Sequence, residues 1–140
     1  MADRKEVEDL ISSCLEETTK ASRKKYDQEM AERTAAMFLV AQMKISFLIE
    51  EVELASKQAK NEIARLEAEK YFECKTSNVD KKITESMLTN FVAKNSEVMS
   101  AKTNAAQAEA SLKKWSFILN TLKDGHIYFR NIGKTKSWAE

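Results

Sequence analysis

The residue types best suited to chemistry recur along one stretch of the chain. Lys57, Lys60, Arg65, Lys70 and Lys75 follow one another at short intervals, with Lys81 and Lys82 just beyond and Tyr71 and Phe72 interleaved. Binding of single-stranded nucleic acid needs this combination, because cations track the phosphates while aromatic rings stack on unpaired bases. Glu62, Glu67, Glu69 and Glu73 interrupt the cluster. A solvated charged helix has a similar composition, so the pattern alone fits either reading.

Other chemistries find less support. The carboxylate pairs Glu50 with Glu51 and Glu67 with Glu69 have the side chains for acid–base work, but they fall on an exposed helical pattern with no sign of a cleft. His126 is the single histidine, which argues against a histidine-based metal site or catalytic triad. Its place in a heptad seam reads as a packed or interfacial side chain. Trp115, Phe117 and Phe129 recur at helical spacing and read as core or subunit interface. Cys14 and Cys74 stand far apart without metal-ligand spacing. The sequence therefore predicts no catalytic residue, no metal, no cofactor and no enzyme.

The elements that must position these residues are set by composition. In 140 residues there is no proline, and the only two glycines are Gly125 and Gly133. A β-sandwich or an α/β fold needs many turns, which proline and glycine usually punctuate. A glycine-rich phosphate loop is excluded for the same reason. Hydrophobic residues make up 43% and charged residues 32%, which suits an all-α protein with few connections.

Helical periodicity divides the chain into a peripheral helix or arm over 1–25, a long helix over 26–73, a connector with a short helix over 74–96, a last helix over 97–132 and a basic tail over 133–140. The arm carries Val7, Leu10, Ile11, Cys14 and Leu15 as an apolar stripe and is followed by the basic residues Arg23, Lys24 and Lys25. In the long helix, Phe38, Ala41, Ile45, Leu48, Val52, Ala55 and Ala59 form a coiled-coil seam that continues to Ile63 and Leu66 with one irregularity. Residues 35–49 are apolar on nearly every side. A helix of that kind must be covered by several neighbours. The run is too short for a membrane span and is interrupted by Gln42, Lys44 and Ser46.

Thr76, Ser77, Asn78 and Asp80 compete with the backbone for hydrogen bonds and mark the break after the long helix. Thr84 is an N-cap candidate for the short helix, and Asn95 with Ser96 offers a second cap. From Val98 to Phe129 a regular seam passes through Ala101, Ala105, Ala108, Leu112, Trp115, Leu119, Leu122 and His126. Gly125 inside this helix predicts a kink or a tight contact, and Gly133 is placed as its C′ residue. Trp138 lies in the basic tail.

Two long antiparallel helices make a thin core, so the expected state is a homo-oligomeric helical bundle or ring. Phe38, Ile45, Leu48, Leu112, Trp115, Leu119, Leu122 and Phe129 are the expected oligomer interface. Charge is segregated: residues 1–74 hold 12 Lys and Arg against 16 Asp and Glu, a net of −4, whereas residues 75–140 hold 11 against 6, a net of +5. Such segregation presents a basic face to an anion or pairs the halves with each other. The charged N-terminus has no signal-peptide pattern, so a cytoplasmic protein with reduced thiols is expected.

Residues 71–133 resemble the UvsY-like recombination mediators of bacteriophages. The likeness rests on the aromatic pair Tyr71–Phe72 before a polar loop and on the helix start Lys82, Ile83, Thr84, Glu85. A long alanine-rich helix follows, then the Trp-containing segment KKWSFILNTL, and an aromatic-to-basic ending. ASKQAKNEIARLEAEKYF over 55–72 is compatible. A glycine-rich loop after the aromatic pair is absent, and Gly125 lies inside the final helix. The resemblance implies a small helical protein that assembles as a ring-like or barrel-like oligomer in the host-cell cytoplasm and binds single-stranded DNA. It also implies that the protein helps a phage recombinase replace single-strand-binding protein, with no active site and no nucleotide of its own. The competing expectation is a structural coiled-coil scaffold or adaptor without nucleic-acid binding.

Overall fold

The structure is a computed structural model that describes residues 4–23, 27–77 and 82–139, with the backbone alone at 22–23 and 135–139. Those residues form an all-α fold of four helices: α1 (Arg4–Arg23), α2 (Gln28–Ser77), α3 (Glu85–Lys94) and α4 (Ser96–Ala139). Lys24, Lys25, Asn78, Asp80 and Lys81, and the side chains of Arg23 and Trp138, lie outside the described residues.

Helix ends follow capping chemistry. Asp27 caps α2, its Oδ1 accepting from the Met30 amide at 2.7 Å. Thr84 caps α3 through a bond from the Met87 amide, as its residue type predicts. Asn95 serves two helices at once. Its own amide donates to Val92 O at the end of α3, while its side-chain oxygen accepts from the Glu97 and Val98 amides of α4.

Two helix ends differ from expectation. α2 runs on through Thr76 and Ser77, because Thr76 Oγ1 donates to Phe72 O and Glu73 O instead of breaking the helix. α4 does not stop at Ile132, and the segment after Gly133 is helix rather than a tail. Gly133 has no positive φ, so it is not a C′ residue. It is buried, and an added Cβ would lie 3.4 Å from Glu32 Cγ and 3.9 Å from Ala31 Cβ.

The chain packs as two units, each built on a part of α2 and a part of α4. The first unit comprises Met1–Glu51 and Lys113–Glu140. Its core takes Val7 and Cys14 from α1, Phe38, Ala41, Ile45 and Leu48 from α2, and Trp115, Leu122 and Phe129 from α4. Leu15, expected on the buried stripe of α1, is exposed. The Phe38 and Phe129 rings pack with centroids 5.3 Å apart. His126 Nδ1 hydrogen-bonds Ala35 O at 2.9 Å, which fixes its ring against α2 as a packed residue. Lys44 pairs with Glu6 and ties α2 to α1. Burial pushes the Cys14 thiol up to about 11.

The second unit is Val52–Leu112. Leu66 of α2, Val92 of α3, and Val98 and Ala101 of α4 form its core, with Ile63 and Tyr71 packed against them. The α2 seam here passes through buried Ser56, and Ala55 faces solvent. Two successive steps of four, from Leu48 to Val52 to Ser56, rotate the buried stripe by one position. The seam of α4 lies inward as the periodicity predicts, with Leu112 and Leu119 half-buried. Phe38, Ile45, Leu48, Trp115, Leu122 and Phe129 are core residues of a single chain, not surface available to a second one.

The two glycines give a discriminating pair of mutations. A Cβ at position 125 would lie 2.2 Å from Phe38 Cε1, so Gly125→Ala should destabilise by about 1–3 kcal/mol despite the better helix propensity of alanine. Gly133→Ala meets a flexible side chain at ordinary contact distance and should stabilise by up to about 1 kcal/mol. Urea denaturation of the two variants reads the opposite signs directly.

Candidate nucleic-acid interface

The sequence-predicted cations stand along the second half of α2, with Lys82 just before α3. Most of those on α2 are already engaged. Lys57 Nζ lies 3.5 Å from Glu53 Oε1. Arg65 is held from both sides, at 2.6 Å from Glu62 and 2.7 Å from Glu69, one turn before and one turn after it. Hydrogen bonding to Arg65 lowers the Glu62 carboxyl, and Glu62 and Glu69 in turn hold the Arg65 guanidinium more firmly protonated.

Lys70 is the most enclosed of the group, its side chain only 12% exposed. Its ammonium reaches Glu97 of α4 at 3.3 Å and Glu73 at 3.5 Å. Burial of the stem pulls its pKa down, and the hydrogen bond it donates to Glu97 with the charges of both carboxylates more than offsets that, leaving it raised. Tyr71 donates its hydroxyl to Glu85 Oε1 at 2.9 Å, and this bond raises the phenol's pKa. Tyr71 and Lys70 thus fasten α2 to the beginnings of α3 and α4. They act as structural ties before they act on any ligand.

What is left facing solvent is narrower than the sequence implies. Phe72 is 66% exposed. Lys75 Nζ sits 5.9 Å from the Tyr71 ring centroid. Lys60 and Lys82 are exposed, with no carboxylate partner among the described residues. A groove of about 500 Å³ runs between α2 and α4, with Glu62, Arg65, Leu66, Glu97, Ser100 and Asn104 in its walls. No group of three His, Cys, Asp or Glu side chains converges on a metal position among the described residues. No described helix is long and apolar enough to cross a membrane.

The sequence could not reveal these pairings in full. Glu53, Glu62, Glu69 and Glu73 lie three or four positions from a cation on the same helix, where side chains meet. That signal was present in the spacing. Glu97 and Glu85 reach Lys70 and Tyr71 only through the fold.

Comparison with known proteins returns no matching family model, no matching curated protein and no matching solved structure.

The ion pairs predict how this end of the protein responds to charge. Glu73→Gln with Glu97→Gln removes both partners of Lys70 and should tighten binding of an anionic oligonucleotide and steepen its salt dependence. Fluorescence anisotropy at two salt concentrations measures both quantities, and an unchanged slope would take Lys70 out of the interface.

Proposed function

We propose that the protein is a single-stranded-DNA-binding recombination mediator that works as an assembly of several copies. It helps a phage recombinase displace single-strand-binding protein, and it uses no nucleotide, metal or catalytic centre. The observation that supports this reading best is the exposed Phe72 ring, one helical turn before exposed Lys75 near the end of α2, with exposed Lys82 shortly before α3 in the chain. A stacking platform flanked by cations is what unpaired bases and their phosphates require. The resemblance of residues 71–133 to UvsY-like mediators points the same way. Self-neutralised cations make each single site weak, and several copies on one strand would multiply it by avidity.

A second reading, a helical scaffold that binds only protein, is favoured by one specific feature. Leu39, Val40, Met43 and Phe47 form an apolar stripe along α2 that faces solvent, with Phe47 59% exposed. Contiguous exposed apolar surface of this kind marks an association face. Assembly through it serves either reading.

Two measurements separate them. Anisotropy of a labelled oligo-dT should show binding that exceeds binding to duplex of equal length. Its log affinity should fall with log salt by about 0.7 for each phosphate contact. No binding at low salt would leave the scaffold reading in possession. Light scattering should give a multiple of the 16.0 kDa chain mass. Met43→Glu with Phe47→Glu should reduce that mass while circular dichroism keeps its helical signal; a wild-type monomer at micromolar concentration would end the assembly model.

A further inference from the structure

The more open basic surface of the molecule is not the one at the end of α2. Between positions 113 and 134, α4 carries Lys113, Lys114, Lys123, Arg130 and Lys134 against one carboxylate, Asp124. All five cations are exposed. None is paired with a carboxylate among the described residues, unlike Lys57, Arg65 and Lys70. The same half of α4 exposes Phe117, at 72%, and Tyr128.

Helical geometry gathers these side chains outward. The inward seam of this half runs through Trp115, Leu122 and Phe129. At 100° per residue, Lys113, Phe117 and Tyr128 fall on the opposite side of the helix, with Asp124 among them. Lys123, Arg130 and Lys134 line one flank of that face, and Lys114 lies on the other. Lys113 and Lys134 are separated by roughly 32 Å along the helix at about 1.5 Å per residue. Cations and rings therefore alternate over a length that several nucleotides can follow.

Two further observations extend the patch. Lys114 Nζ lies 5.2 Å from the Trp115 ring centroid, and Arg4 of α1 approaches the same ring at 5.8 Å. A second cation-bearing element thus joins the Lys114 edge. At the other end, a groove of about 430 Å³ is lined by His126, Arg130 and Lys134, with Glu32 as its one acidic wall residue.

We infer that the outward face of α4 from Lys113 to Lys134 is a contact surface for single-stranded nucleic acid, separate from the cluster at the end of α2. It rests on the proposed function in supposing that the protein binds single strands at all. Lys113, Lys123, Arg130 and Lys134 meet phosphates, and Phe117 stacks on a base. Because these cations give up no internal partner when they bind, this face contributes more to the salt dependence than the α2 cluster does.

The test is anisotropy of labelled oligo-dT over a range of salt with the full chain. Lys113→Glu, Lys123→Glu, Arg130→Glu and Lys134→Glu combined should weaken binding at least about tenfold and reduce the salt slope by about 3, at roughly 0.7 per lost phosphate contact. Phe117→Ala should weaken binding several-fold with the slope retained. Circular dichroism checks that both variants stay helical, and Phe117→Ala with Lys113→Gln and Lys123→Gln decides the matter if the fourfold variant does not fold. Wild-type binding with unchanged affinity and slope in the variants overturns this surface but leaves the mediator reading standing on the α2 cluster. Absence of wild-type binding overturns both. A fourfold variant that changes assembly mass in light scattering, with affinity for oligo-dT retained, makes the face a contact for acidic protein surface and overturns the inference as well.

Discussion

The close approach of α4 to α2 at Gly125 is the constraint on which the first packing unit depends. The Phe38 ring occupies the space that a β-carbon on residue 125 would fill. From there it stacks against Phe129 one turn along α4, and Phe129 in turn meets Tyr128 edge-on at 5.1 Å. Glycine in a helix interior costs about 1 kcal/mol relative to alanine. Full burial of a phenylalanine side chain is worth about 1.5–3 kcal/mol, so the exchange favours the close contact. Gly133, set against Ala31 and Glu32, keeps α4 beside α2 two turns further on. With α2 and α4 drawn together there, His126 can bond Ala35 O, and α1 completes the core with Val7 and Cys14.

Charge is used in two ways along the chain. On the second half of α2, carboxylates one turn away answer cations, and Glu97 brings Lys70 into the same arrangement from α4. Exposed pairs of that kind add little stability and mainly hold side chains in place. From Lys113 to Lys134 of α4 the cations have no such answer among the described residues. A basic segment with aromatic side chains on its solvent face is chemically distinct from a basic segment locked in ion pairs, though their compositions look alike.

Much of the fold was legible because it is written locally. Thr84 and Asn95 cap because a short polar side chain before a helical run can reach the next amides. The α4 seam was readable because a three–four repeat survives over eight turns. The errors lie where a local rule yields to a tertiary contact or to register. Gly133 looks like a helix stop until Ala31 and Glu32 lie against it. Thr76 and Ser77 look like breakers, yet the Thr76 hydroxyl can bond carbonyls one turn back. Ala55 and Ser56 differ by one position of register, and apolar character pointed to the wrong one. The candidate cations were found by residue type, but whether a cation is available depends on carboxylates that only the folded backbone brings within reach.

Asn95 joins α3 to α4 with no intervening loop residue. The same residue terminates one helix through its amide and begins the next through its side-chain oxygen. Its backbone is extended, at φ −64° and ψ 131°, so the turn needs neither glycine nor strain. Helix ends usually fray independently, each opening without disturbing its neighbour. Here the Val92 carbonyl in the last turn of α3 and the first amides of α4 share one anchor, so rotation of that single residue would release both. Fraying at this corner would then be a single event that loosens the end of the short helix and the start of the long one together.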